Sequence, residues 1–185
     1  MIESSAIFSD DRVYRYVLTR SWDTGKPKCM FIGLNPSTAD EIDNDPTVRR
    51  CINFARDLDY GTLVMMNIFG LRSTDPKVLY HSIDPVGPDN DYWLRTKKDE
   101  VNMVIAAWGN HGRLNQRSVH VITMIHEFHV LGITKLLEPK HPLYLRQDLY
   151  PIPYKQALKN PHFIPIRQAV PVTSLDHKFA PSRLF

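Results

Sequence analysis

The chain has 185 residues, of which 43% are hydrophobic and 23% charged, and its formal net charge at pH 7 is +3. These values are ordinary for a globular domain, and no apolar run approaches the roughly 18 residues that predict a transmembrane helix. The two cysteines form neither a disulfide framework nor a zinc ribbon. The slight excess of basic residues permits a nucleic-acid partner without requiring one, and no membrane partner is expected.

The first residues bear on the cellular location. Residues 1–16 contain no basic segment followed by an apolar one, so no signal peptide is expected. Two cysteines without a disulfide pattern suit a reducing compartment. The expected location is therefore the cytoplasm.

The predicted elements begin with strands. Residues 13–22 alternate and are rich in β-forming side chains, which indicates a strand. Residues 29–34 form a short apolar run, typical of a strand buried on both faces. Asp45 and Pro46 then predict the N-cap and the first turn of a helix. Residues 62–69 are a second buried-strand candidate, interrupted by one asparagine.

The second half of the chain continues this alternation. The Asp-Pro pair at residues 75–76 predicts a short helix, and residues 101–108 predict a third buried strand. A further helix is expected to begin at Ser118 and to stop at Gly132. Residues 133–137 are the predicted fourth strand of the parallel sheet.

This order predicts an α/β fold in three layers, α/β/α, with a four-stranded, mostly parallel central sheet and an additional N-terminal strand. The pattern ends near Leu145, so residues 1–145 are expected to form a single α/β domain. Six of the 14 prolines lie in the last 35 residues. Residues 146–185 are therefore predicted to be an extended, Pro-rich C-terminal arm packed on the domain.

Polar residues gather at the carboxyl ends of the predicted strands, where parallel sheets bind their ligands. These ends carry Asn35 and Pro36, residues 67–72, Trp108 and Gly109, and Lys140 and His141. Each feature also has a purely structural interpretation, as a turn, a surface salt bridge or a core histidine. The spacing matches no phosphate loop and no metal-binding motif, so neither a cofactor nor a metal is expected.

Several motifs, taken together and in order, resemble the DUF1643 family. They are residues 31–40 (FIGLNPSTAD), 45–50 (DPTVRR), 67–69 (NIF), 72–76 (RSTDP), 85–91 (PVGPDND), 107–109 (AWG) and 141–145 (HPLYL). The resemblance extends from about Val13 to Leu145. Bacteria and phages carry this family, and no function is assigned to it.

Three shorter segments resemble the uracil-DNA glycosylase superfamily. Residues 33–36 (GLNP) are similar to its first motif, whose asparagine positions the attacking water, although Ser37 stands where a glycine is usual. Residues 64–67 (VMMN) are similar to the strand whose last asparagine reads the base. Residues 141–142 (HP) are similar to its second motif, whose histidine stabilises negative charge on the base carbonyl.

This second resemblance implies a glycosylase-like enzyme, or a nucleobase-binding protein, that acts on a base in DNA by hydrolysing the N-glycosidic bond. Asn35, helped by Asp40, would hold the water, and His141 would stabilise the departing base. The implied substrate-binding residues are Gly33, Pro36, Asn67, Arg72, Trp108 and Gly109. Arg113 and Lys140, with Lys135, would contact phosphate.

Two alternatives stay open at this point. One is an enzyme of phage type that transfers or removes a group on a modified base or a free nucleotide in the same pocket. The other is a non-catalytic module that binds a base, a nucleotide or DNA. The sequence predicts neither the oligomeric state nor the identity of the base.

Overall fold

The computed structural model describes residues 3–163 and residue 166. Its strands are β1 (Glu3–Phe8), β2 (Arg15–Ser21), β3 (Lys28–Gly33), β4 (Thr62–Asn67), β5 (Met103–Ala106), β6 (His129–Val130) and β7 (Ile152–Pro153). Its α-helices are α1 (Pro46–Asp57), α2 (Asn90–Lys98), α3 (Arg117–Ile125) and α4 (Tyr154–Lys159). Short 3-10 helices follow three of the strands, at Pro76–Tyr80, Asn110–Gln116 and Pro142–Tyr144.

All of these strands belong to one sheet, with the order β1-β2-β4-β3-β5-β6-β7. The central strands β4, β3, β5 and β6 run parallel to one another. The outer strands β1, β2 and β7 are antiparallel to their neighbours. The predicted α/β class is confirmed, but the prediction of a four-stranded sheet is wrong because the described residues form seven strands.

The last parallel strand lies earlier in the chain than predicted. Helix α3 ends at Ile125, and His126 takes a positive φ of 63°, which turns the chain into β6 well before Gly132. Residues 133–137 form a turn instead, in which the Thr134 N–H donates to the Glu138 carbonyl at 2.8 Å. No glycine marks the end of α3, so the usual helix-stop signal was missing from the sequence.

The segment predicted as an arm contributes to the sheet. Residues 152–153 form β7, and α4 follows directly. The Tyr154 ring stacks on Phe128 with ring centroids 4.8 Å apart. A proline in β7 is compatible with a position at the sheet edge, where no neighbour needs its N–H. The remainder of the predicted arm, residues 164–165 and 167–185, lies outside the described residues.

Each face of the central sheet is covered by helices. On one face, buried side chains of β3 and β4 such as Phe31 and Met65 contact Val48 and Phe54 of α1. The opposite face carries Met30, Ile32, Val64 and Met66, which cluster with residues of α2, α3 and α4. Strands buried on both faces must be apolar at every position except their ends. A polar side chain at the end of such a strand therefore marks a place where a functional site can form.

Candidate functional site

A small polar cavity of about 40 Å³ lies at the carboxyl ends of β3 and β4. It is lined by Arg15, Gly33, Leu34, Asn35, Ser37, Asp45, Thr47, Val48, Met65, Asn67 and His141. This volume is enough for about three water molecules. The lining comes from β2, the ends of β3 and β4, the start of α1 and the residue before Pro142–Tyr144. The structure thus brings together Gly33, Asn35, Asn67 and His141.

Asn35 joins the loops that follow β3 and β4. Its Nδ2 donates to the carbonyl oxygens of Ser73, at 2.8 Å, and Pro36, at 3.1 Å. The Ser73 N–H donates in turn to the Pro36 carbonyl at 2.8 Å. Because the amide nitrogen is occupied, the Asn35 Oδ1 is the atom left to accept a hydrogen bond in the cavity.

Asn67 is the polar end of the buried strand β4, and only 2% of it is exposed. Its Nδ2 is buried and has no hydrogen-bond partner among the described residues. Gly33 makes room for this amide, since a Cβ at that position would lie 2.8 Å from the Asn67 Oδ1. An unpaired buried donor costs about 1–3 kcal/mol, so this amide is poised for a water or a ligand.

His141 presents a neutral imidazole to the cavity. Its Nδ1 accepts a hydrogen bond from the Leu143 N–H at 3.4 Å, which leaves the ring proton on Nε2. Burial lowers the pKa of His141, and the nearby negative charge of Asp45 opposes that effect only in part. Gly109, whose φ is 72°, lies against this residue, since a Cβ there would be 3.7 Å from the His141 Cβ. At neutral pH the Nε2–H is therefore a hydrogen-bond donor without charge.

Two charged residues of the cavity escaped the sequence predictions as site residues. Arg15 begins β2 and is 1% exposed, and Asp45, the N-cap of α1, is 7% exposed. Burial lowers the pKa of Arg15 to about 10, against the attraction of Asp45. The available signal for Arg15 was a charged side chain within a predicted strand, but Arg20 of the same strand gives the same signal. Asp45 gave no separate signal, because an aspartate before Pro46 is already accounted for by its role as a helix N-cap.

Asp40 does not line the cavity. Its Oδ1 accepts the backbone N–H groups of Ile42 and Asp43, both at 2.8 Å, in a turn of its own loop. These two hydrogen bonds hold the pKa of Asp40 below its ordinary value. The carboxylate that the fold places at the cavity belongs to Asp45.

Two other predicted binding residues contact the protein rather than the cavity. The Arg72 Nη1 donates to the carbonyl of Arg12 at 3.0 Å, and its guanidinium lies 5.0 Å from the centre of the Phe8 ring. Trp108 is 2% exposed, and its Nε1 donates to the Glu138 carboxylate at 2.8 Å. Pro36 is buried beside the cavity without lining it.

The predicted phosphate-binding residues are exposed. Lys140 and Lys135 line a larger groove of about 580 Å³, which shares no lining residue with the cavity. Tyr144, which is 90% exposed, also borders this groove. Arg113 lies in the 3-10 helix that follows β5. All three cations can therefore meet solvent or a ligand, although none of them lines the cavity.

Neither a metal-binding cluster nor a membrane-spanning helix occurs in the part of the chain that the structure describes. Residues 3–163 contain no group of three His, Cys, Asp or Glu side chains arranged to hold a metal ion. Over the same range, no helix is long and apolar enough to cross a membrane.

One protein-family model matches this chain, over residues 15–143, or 129 of its 185 residues. The family is described as "Protein of unknown function (DUF1643)". All the residues that line the cavity fall within the matched region. No curated protein and no solved structure matches the chain significantly.

Proposed function

Since this chain belongs to the DUF1643 family, whose function is unknown, its activity has to be inferred from the cavity, and we propose that it hydrolyses the N-glycosidic bond of a base in DNA. The observation that supports this proposal is the convergence of Asn35, Asn67 and His141 on one cavity. These are the three residues that carry the resemblance to the uracil-DNA glycosylase superfamily. They come from distant parts of the chain.

In the proposed reaction, a water oxygen adds to the sugar C1′ while the bond from C1′ to the base nitrogen breaks. The electron pair of that bond leaves with the base, and the proton lost by the water finally protonates the base nitrogen. Asn35 holds the water through its free Oδ1, and Asn67 donates its unpaired Nδ2–H to a base carbonyl. The Nε2–H of His141 stabilises the negative charge that develops on the base, an electrostatic role worth several kcal/mol.

The surroundings of the cavity suit a nucleic acid. The groove lined by Lys135 and Lys140 would contact the phosphates, which position the strand without reading its sequence. The exposed ring of Tyr144 offers a surface on which a base can stack. A cavity of about 40 Å³ admits water and not a base, so residues 37–45, which run along one side of it, have to move when a base enters.

The test is strand cleavage at abasic sites. Oligonucleotides that contain uracil, hypoxanthine or 5-hydroxymethyluracil are incubated with the protein and then treated with alkali. We expect cleavage of at least one substrate, a loss of more than a hundredfold in Asn35→Ala and a smaller loss in His141→Gln. The matched control His81→Gln changes an exposed histidine away from the cavity and should keep full activity. Folded protein that cleaves nothing across a broad panel of modified bases would refute the hydrolase.

A non-catalytic base-binding protein is the second candidate. The observation that favours it is that the unpaired donors of Arg15 and Asn67 indicate a ligand whether or not a bond is broken. Asn35→Ala and His141→Ala separate the two candidates. Only an enzyme should lose turnover in these variants while its affinity for the same oligonucleotide is retained.

A further inference from the structure

The cavity contains two opposite charges that do not touch. Arg15 and Asp45 both line it and are 1% and 7% exposed. Nevertheless, none of the ion pairs within 4.0 Å among the described residues involves Arg15. Arg15 donates through Nη1 to the carbonyl of Ala39 at 2.6 Å, and the Asp45 Oδ1 accepts the N–H of Val48 at 2.8 Å. Each charge thus has a partial partner and keeps unused hydrogen-bonding capacity.

Two buried charges without direct contact are unfavourable. Moving a guanidinium and a carboxylate out of water costs several kcal/mol each, and a close contact between them would offset part of that cost. Here the contact is absent, and the Nε of Arg15 and the Nδ2 of Asn67 are buried without partners in the described part of the chain. Buried polar groups in folded proteins are almost always paired, either with other protein groups or with ordered water. The polar groups around the cavity therefore require a polar occupant, either water or a ligand that replaces it.

The signs of the charges restrict the ligand. An inorganic or nucleotide phosphate would be attracted by Arg15 but repelled by Asp45, and an ammonium group would meet the reverse. A neutral molecule with an acceptor on one side and a donor on the other satisfies both. The neighbouring amides of Asn35 and Asn67 and the neutral His141 add donors and acceptors without charge. A carbonyl next to a ring N–H, as on the amide edge of a nucleobase, meets these conditions.

We propose that Arg15 and Asp45 are the specificity-determining pair of the cavity and select a neutral base by its amide edge. Arg15 donates to the base carbonyl oxygen, and Asp45 accepts from the adjacent ring N–H. The inference rests on the proposed function in that its ligand is a base, but it does not require that a bond be broken.

Pairs of ligands that differ by one N–H provide the test. Titration calorimetry with the full chain compares 1-methyluracil, whose methyl group replaces the sugar, with 1,3-dimethyluracil, which lacks the ring N–H. The purine pair is 9-methylhypoxanthine and 1,9-dimethylhypoxanthine. In at least one pair, we expect the ligand with the N–H to bind at least tenfold more tightly. Inorganic phosphate at the same ionic strength should neither bind nor compete.

The variant Asp45→Ser isolates the role of the charge. Serine still caps a helix, so α1 should remain intact, which circular dichroism and a urea unfolding curve verify. We expect the preference for the N–H ligand to fall below threefold. Asp75→Ser is the matched control, because Asp75 also caps an Asp-Pro helix start but does not line the cavity. It should keep the tenfold preference.

The outcomes separate this inference from the proposed reaction. Binding with the expected preference but without strand cleavage supports the inference and refutes the hydrolase. Strand cleavage together with an unchanged preference in folded Asp45→Ser overturns the inference alone. Competition by phosphate, or the absence of binding by every base tested, also overturns it.

Discussion

At the scale of single residues, the candidate site depends on which atoms are left over after the fold has made its hydrogen bonds. Asn35 uses its amide nitrogen for two carbonyls, and Asn67 keeps its own nitrogen unpaired. Of the two side-chain amides, Asn35 therefore offers its oxygen as an acceptor, whereas Asn67 offers its nitrogen as a donor. The difference follows from their surroundings, because the loop carbonyls that satisfy Asn35 do not reach Asn67.

His141 should make the stability of the protein depend on pH. Burial lowers the pKa of His141 in the folded state, whereas the unfolded chain has a value of about 6.5. Above that pH the residue is neutral in both states, and below it the unfolded chain takes up the proton first. The free energy of unfolding should therefore fall as the pH decreases from 6.5 through the lower, folded pKa.

Urea unfolding at pH 7.5 and pH 5 measures this effect. The loss of stability on acidification should be smaller in His141→Gln than in the wild type. His81→Gln, which changes an exposed histidine, should lose as much as the wild type. An equal pH dependence in the wild type and His141→Gln would contradict the prediction. His129 is not a suitable control, because burial lowers the pKa of that residue as well.

At the scale of elements, the decisive feature is the segment 37–45 between β3 and α1. Arg20 of β2 holds this segment through three hydrogen bonds. Its Nε donates to the Asn44 Oδ1 at 2.8 Å. Its Nη2 donates to the carbonyls of Asp40, at 2.5 Å, and Asp43, at 3.2 Å. Arg20 is 1% exposed. Buried Arg15 holds the same segment at a second point, through the hydrogen bond from its Nη1 to the Ala39 carbonyl. A segment without helix or strand that depends on two arginines is the part of the cavity wall most able to open.

Removing the Arg20 contacts should loosen the segment. Arg20→Met keeps much of the apolar stem but leaves the loop acceptors without donors, and we expect a loss of about 2–3 kcal/mol of stability. Amide hydrogen exchange in residues 37–45 should become faster. Arg12→Met is the control, because Arg12 pairs with Glu41 of the same segment at the surface, at 2.9 Å, and should cost at most about 1 kcal/mol. If the two variants were equally stable, Arg20 would not anchor the segment.

At the scale of the whole molecule, the net charge of +3 matters less than its distribution. Lys135 and Lys140 line the larger groove, and Lys140 directly precedes His141 in the sequence. Lys26 and Lys98, in contrast, precede the amino ends of β3 and β5. If the groove binds the DNA backbone, only the first pair should contribute to binding. The salt dependence of binding measures such contacts, because each neutralised phosphate releases counterions.

We therefore expect the double variant Lys135→Glu/Lys140→Glu to bind a fluorescent oligonucleotide more weakly than the wild type. Its slope of log K against log salt, from anisotropy titrations at increasing salt, should be smaller by about two. Lys26→Glu/Lys98→Glu changes the net charge by the same amount and should keep the wild-type slope. Equal losses in the two double variants would show that net charge alone governs binding.

Neighbouring residues were sufficient to predict a large part of this protein. The apolar runs of β3, β4 and β5, the helix starts at Asp45 and Asp75, and the family membership all follow from local patterns, since capping and strand burial act between residues close in sequence. The positions of the asparagines at the ends of β3 and β4 follow from the same patterns.

The tertiary structure alone decided the rest. The edge strands β1 and β7 and the early strand β6 exist because partner strands supply their hydrogen bonds. The packing of β2, α1 and the strand-end loops decides which side chains line the cavity. It brings Arg15 and Asp45 to the cavity and keeps Arg72 and Trp108 away from it. Local sequence predicts which residues end a strand, but only packing between distant elements determines which of those side chains share a space.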